Sequence, residues 1–341
     1  MSKQPHARAI NPGALTPPSR ASGYAAARDL ANAINQTILG CFHRLGFAGC
    51  SEPTQRAKDA ASCALKHQAS QHIEDLLLLP TLLLATGFQP GVFVELGALD
   101  GVRYSNTLVL ERCFNWRGIL IEANPHNFAK LQASGRRATK IHSGVCSGTG
   151  FVTMTVGGSE ESADVEALPK NILKGMQQRR KISNATVDVP CRSLSSIMHG
   201  AGIDSADFLS LDVQGAEYKV LETVDPGALK TVIVETYGAG ITDKRFGKNG
   251  KSRLQLIRQR MASGRLFASS SVHLYGSDFF TRPDLQLVPV RTPQQSTRLR
   301  EQHPNIAWCA KQAIRRQASS GHWGEWWHHC NRTHSALGEV R

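Results

Sequence analysis

The sequence predicts an α/β fold, a doubly wound and mostly parallel sheet with helices on both faces. Three observations predict it. Apolar runs of six or seven residues recur from about residue 92 onward, separated by segments of helical character. The runs are apolar almost throughout, as strands covered on both faces must be. The first of them leads into a glycine turn, the place where open α/β sheets take ligands.

The elements follow in chain order. Residues 1–28 are rich in Pro, Ala and Ser and read as a disordered leader, and 29–72 read as a helical extension because Ala-rich stretches recur there with few strand formers. An apolar helix runs from Ile73 to near Gly87, and Gln89-Pro90-Gly91 then turns the chain into VFVELG at 92–97. GILIEA at 118–123, TKIHSGV at 139–145, DFLSLDV at 207–213 and TVIVET at 231–236 are the further strands of the sheet. Between the third and fourth lies an insert, 146–206, with a strand at 151–156 and a polar stretch at 157–186 expected to be a mobile loop. A basic helix over about 252–262 leads into VHLYG and LQLVPV, read as an antiparallel pair closing one sheet edge. The domain is thus expected over 73–290, with a basic Trp- and His-rich tail over 291–341.

Composition narrows the function without choosing it. Forty Lys and Arg stand against 27 acids in 341 residues, a formal charge of +13 that favours anionic partners. Residues 244–265 hold eight basic side chains and no acid, and a solvated basic face is the plain account of such a run. No RRM, KH or zinc-finger pattern accompanies it, so specific nucleic-acid recognition is not expected. The apolar stretch at 76–88 is too short to span a bilayer and is interrupted by Pro80, so no membrane span is expected. The leader has no acid and four basic residues, a loose fit to an organelle transit peptide, but lacks a signal peptide's apolar run. The eight cysteines include no CxxC pair, and their even number permits disulfides without requiring them. His322, His328, His329, Cys309 and Cys330 lack metal-site spacing, and no metal is expected.

The chemistry is expected at the strand tips. In the turn Glu95-Leu96-Gly97-Ala98-Leu99-Asp100-Gly101 the glycines let backbone bend around a ligand, while two carboxylates would repel a pyrophosphate. The dinucleotide pattern GxGxxG is absent. A ligand with an ammonium and a sulfonium beside an adenosine suits what remains, and S-adenosyl-L-methionine is that ligand. Glu122 ends the second strand 25 residues beyond Gly97, near the spacing at which an acid meets ribose hydroxyls. The competing account has Glu122 capping the helix that starts at Pro125, and Asp100 forming a plain Asp-Gly turn. Asp212 and Glu217 flank Gly215 at the fourth strand's end and are the candidates for orienting or deprotonating a methyl acceptor. Helix capping by Asp212 and a first-turn acid at Glu217 are the simpler roles.

FVELGALDGVRYSNTLVLE, GILIEANPHNFAKL, FLSLDVQGAEYKVL and VIVETY resemble the FkbM family of S-adenosylmethionine-dependent methyltransferases, over about residues 90–280. The resemblance implies a Rossmann-like domain of the class I methyltransferase type that methylates a hydroxyl of a sugar, polyketide or other small molecule. It further implies that Glu95, Gly97, Ala98, Asp100, Gly101, Ser105 and Asn106 line the cofactor's amino-acid end, Glu122 its ribose, and Cys146 the segment passing its adenine. Asp212, Gly215 and Glu217 match the family's Asp-x-Glu-Gly-x-Glu element. Gln214 departs from that element's usual Glu, and Ser193-Leu194-Ser195 departs from the usual Thr-Leu-Asp upstream. DVQGAEY is also similar to Star-like relatives, whose fold serves trafficking or protein binding, and the positive charge leaves RNA methylation as a further alternative. The leading expectation is O-methylation of a small polar or glycan-like acceptor, with an anionic acceptor favoured by the charge.

Overall fold

The computed structural model describes residues 55–156, 162–167, 174, 185–236, 251–269, 274, 276–285 and 287. The leader and tail read from the sequence lie outside these residues, as does most of the polar stretch at 157–186.

The described chain runs α1 (Gln55–His67), α2 (Glu74–Ala85), β1 (Val92–Leu96), α3 (Leu108–Phe114), β2 (Arg117–Glu122), α4 (Pro125–Ala133), β3 (Thr139–His142), β4 (Gly144–Val145), β5 (Thr149–Thr155), β6 (Thr186–Arg192), α5 (Leu194–Gly200), β7 (Ala206–Leu211), α6 (Glu217–Leu221), β8 (Leu229–Glu235), α7 (Arg253–Ser263), β9 (Phe267–Ala268) and β10 (Ser277–Thr281). Seven strands form the main sheet in the order β3-β2-β1-β7-β8-β10-β9. The first five are mutually parallel, and β10 is antiparallel to both of its neighbours. Chain order reverses between β1 and β7, so their carboxyl ends frame the crevice where a doubly wound sheet binds ligands.

Strand alternation separates two cores. Phe93, Leu120, Phe208, Ile233 and Phe279 face one side, against α2 and α3 through Leu76, Leu79, Val109 and Leu110. Val94, Ile121, Leu209, Leu211, Val232 and Phe280 face the other, against α5, α6 and α7 through Leu194, Val220, Ile257 and Met261. Covering both faces is what made these strands read as near-continuous apolar runs. Ala61 and Ala64 place α1 in the first core, although the sequence assigned that segment to an extension.

Three features depart from the sequence reading. The segment 139–145 does not form one strand: β3 joins the main sheet, whereas β4 pairs with β6 in a second sheet of order β4-β6-β5. β6 was not anticipated: the sequence assigns no element to 187–206, and Pro190 obscures the alternation of polar and apolar residues by which Thr186–Arg192 would read as a strand. Among the described residues the antiparallel edge is built from β9 and β10, while most of 272–276 and 285–290, where the sequence placed it, lies outside those residues.

All four cysteines among the described residues are paired. Cys63–Cys113 links α1 to α3, and Cys146–Cys191 fastens the end of β4 to β6.

Candidate functional site

A cavity of about 990 Å3, its open mouth included, lies at the carboxyl ends of β1, β2 and β7. Its floor and sides come from Glu95, Gly97, Leu99, Ile121, Glu122 and Asp212, and β4 and β5 wall it with Val145, Val152 and Met154. Apolar walls meet several convergent polar groups there, among them Glu122, Asn106 and Asp212, as in sites for small organic ligands.

Gly97 is required by crowding. A Cβ there would lie 1.8 Å from the carbonyl oxygen of Asp212, and its φ of +74° is left-handed. Its N–H and that of Ala98 both donate to the Ile121 carbonyl, at 3.1 and 3.2 Å, which ties the turn to β2. Leu99, Tyr104 and Gln214, all lining the cavity, also adopt positive φ, of +52°, +64° and +54°. Such backbone strain in non-glycine residues gathers at functional sites.

Behind the turn, Glu95 is committed to structure. Its Oε1 accepts from the Asn106 N–H at 2.7 Å and its Oε2 from the hydroxyls of Ser105 and Thr107 at 2.8 and 2.6 Å. Arg136 lies buried beneath, donating to Glu111 at 3.1 Å, Thr107 at 2.9 Å, Ser105 at 3.1 Å and the Gly101 carbonyl. Gly101 is shaped by this packing too, since a Cβ there would meet Leu131 at 2.6 Å. Ser105, Ala98 and Gly101 therefore shape the site from outside the cavity lining. Asp100 also stays outside it: its Oδ1 accepts from the Val102 and Arg103 N–H groups at 2.8 and 2.7 Å, the plain turn role.

Glu122 faces the cavity, buried at 6% exposure. Its carboxylate accepts the backbone N–H groups of Leu99 and Asn124, both at 2.8 Å. Burial pushes its carboxyl up to about 7. The helix cap belongs instead to Asn124, whose side chain accepts from His126 and Asn127. Asn106 also lines the cavity: its Nδ2 donates to Ser210 at 3.0 Å, while its buried Oδ1 has no hydrogen-bond partner. Cys146 does not line the cavity; its sulfur is bonded to Cys191, and Ser143, Gly144 and Val145 just before it form that part of the wall.

On the far side of the Gly97 turn, Asp212 faces the cavity, its Oδ1 accepting from the Gln214 side chain at 3.0 Å. Glu217 is fully buried and outside the lining; its Oε1 accepts from the N–H groups of Gly215 and Val213, at 2.8 and 3.3 Å, and holds the turn before α6. Sequence reasoning missed Glu235 as a site residue. It ends β8 beside Asp212, and the carboxylates of Asp212, Glu217 and Glu235 lie within 4.8 Å of one another. Its signal was available, because the strand within TVIVET ends at Glu235, as β2 ends at Glu122. Burial raises all three carboxyls, Glu235 to about 9 with help from the adjacent negative charges.

A doubly wound sheet with a small-molecule cavity at its switch point, ringed by acids at three strand tips, defines a protein of the Rossmann-like ligand-binding class. Residues 95–260 match the model of the methyltransferase FkbM domain. Among solved structures it is similar to the methyltransferase FkbM from Methylobacillus flagellatus KT, with 11% identity, a TM-score of 0.34 and 67% of this chain covered. The match spans 62% of that protein's length. It is also similar to an O-methyltransferase from Bacillus cereus in complex with SAH, with 16% identity, a TM-score of 0.29 and coverage of 72% of this chain and 97% of that one. No curated protein matches the sequence. Among the described residues, no helix is long and apolar enough to cross a membrane.

Proposed function

We propose that this domain is an S-adenosylmethionine-dependent O-methyltransferase acting on a hydroxyl of a small polar, glycan-like acceptor. The observation that carries the reading is that Glu122 and Asp212, at the tips of two strands flanking β1, open into one cavity on either side of the Gly97 turn. The residues present fit the cofactor. Glu122 faces the cavity as an acceptor for the ribose hydroxyls, the unpartnered Asn106 Oδ1 is an acceptor for the ammonium, and Leu99, Ile121 and Val145 offer apolar surface to the adenine. Bound there, S-adenosylmethionine would supply an electrophilic methyl group on a sulfonium. Asp212 then orients the acceptor hydroxyl and takes its proton, while Glu217 acts indirectly by fixing the 213–217 turn on which Asp212 and Gln214 sit.

The test is a screen of polar hydroxyl compounds, glycans and RNA with purified protein, reading out S-adenosylhomocysteine. Turnover with a small hydroxyl acceptor, lost at least about a hundredfold in Asp212→Asn, is expected from the loss of a general base. Cofactor uptake with no turnover on any acceptor would instead favour a silent binding module.

A further inference from the structure

We infer that Glu235 is a positioning residue that holds a proton against Asp212, leaving Asp212 as the charged member of the pair facing the cavity. The inference rests on the functional reading above only in what Asp212 does; the retained proton follows from how closely three carboxylates are packed. β7 and β8 are parallel neighbours in the register Leu211↔Val234, so the next residues, Asp212 and Glu235, emerge side by side. Their carboxylates and that of Glu217 each bring an oxygen within 4.8 Å of the others. Carboxylates this close cannot all ionise without strong mutual repulsion, so one of them keeps its proton.

The surroundings favour the same state. Glu217 faces the pair from α6, and Arg253 reaches in from α7, its Nε 3.9 Å from Glu217 Oε2 and its Nη1 donating to the Gly215 carbonyl at 3.0 Å. From β10, Ser277 stands opposite Glu235, and the next residue, Asp278, is engaged by Arg258 at 2.9 Å. Three carboxylates thus share one guanidinium. Fully ionised they would carry three negative charges against one positive in a largely buried place, which is costly. One retained proton leaves a single net negative charge, and Glu217 Oε2, buried without a hydrogen-bond partner, indicates that donors are scarce there. Burial and the charges of Asp212 and Glu217 raise Glu235 well above its ordinary range, whereas the rise that burial gives Asp212 is opposed by the hydrogen bond it accepts from Gln214. When the acceptor's O–H proton passes to Asp212, its oxygen keeping the electron pair, the group becomes neutral. Glu235 therefore keeps Asp212 oriented and leaves the group room for one more proton.

Infrared difference spectroscopy on the unliganded protein tests this. At pH 8 the wild type should show the carbonyl stretch of a protonated carboxyl that is missing in Glu235→Gln, and that band should fade as the pH passes about 9. In Asp212→Asn the fading should move to lower pH, since the neighbouring charge is gone. Thermal unfolding gives an independent readout. A proton held only by the folded chain makes stability fall as pH rises from the ordinary carboxyl range toward 9, so the wild-type Tm should drop more steeply between pH 6 and 9 than that of Glu235→Gln. An unchanged band and slope in Glu235→Gln would overturn the assignment, as would loss of the wild-type band on adding magnesium chloride, which would show a cation filling the group. Failure of S-adenosylmethionine to bind, with band and slope as expected, would sink the functional reading and leave the assignment standing.

Discussion

Glu122 sits where two requirements meet, buried enough to resist ionisation yet placed to accept hydroxyl donors. Its carboxyl, raised to about 7 by burial, should be the main reason that S-adenosylmethionine uptake strengthens with pH. The ionised form accepts two donors and the protonated form gives one acceptor up, so affinity should rise about tenfold between pH 6 and 8. Calorimetry across that range checks it, with Glu122→Gln expected to flatten the profile. In the unliganded chain the same raised value works against stability: the contribution is whole below the ordinary carboxylate range and is lost as pH climbs toward 7. Glu122 and Asp212 were legible in the sequence because a strand ending in an acid aims that acid at the sheet's carboxyl edge. Asp100 was not, because an Asp-Gly pair after a strand reads alike whether the side chain faces a ligand or folds back on the next two N–H groups, as it does here. Glu217 was named beside Asp212 with a plain first-turn role as the alternative, and its carboxylate here turns to the backbone of the turn before α6.

At the level of elements, periodicity located β1, β2, β7 and β8 well, since buried parallel strands have no competing pattern. The small β4-β6-β5 sheet was read only in part, because its partner strands are joined through a polar stretch and one contains Pro190. That sheet matters to the site, since Gly144, Val145, Val152 and Met154 wall the cavity. The Cys146–Cys191 bond joins residues 45 apart and fastens β4 to β6. Pairing could not be deduced from eight scattered cysteines, and the resemblance-based role of Cys146 beside the adenine gave no hint of it. Closing a loop of this length contributes about 4 kcal/mol in the chain-entropy picture. The double variant Cys146→Ser/Cys191→Ser should therefore unfold at markedly lower temperature and bind S-adenosylmethionine more weakly, whereas an unchanged Tm would mean the small sheet needs no staple. Such bonds persist in oxidising surroundings, so the preparation has to be kept free of reductant.

Across the whole molecule, the sheet brings together residues more than a hundred positions apart: Gly97 against the carbonyl of Asp212, Asn106 against Ser210, and the N–H of Val92 against Asp207. The buried Glu95, Glu111 and Arg136 group then locks the turn from behind, which sequence patterns could not foresee because its members come from β1, α3 and the loop after α4. The net charge of +13 describes the chain as a whole, yet the cavity itself is lined by carboxylates, the reverse of what an anionic cofactor would need. On the proposed function, the ligand is a cationic nucleoside. Isothermal titration of the purified chain with S-adenosylmethionine is the most direct measurement. The account predicts saturable uptake of one equivalent, weakened at least about tenfold in Glu122→Ala through loss of a charged acceptor. No detectable heat of binding by well-folded wild type, or equal affinity in Glu122→Ala, would contradict it.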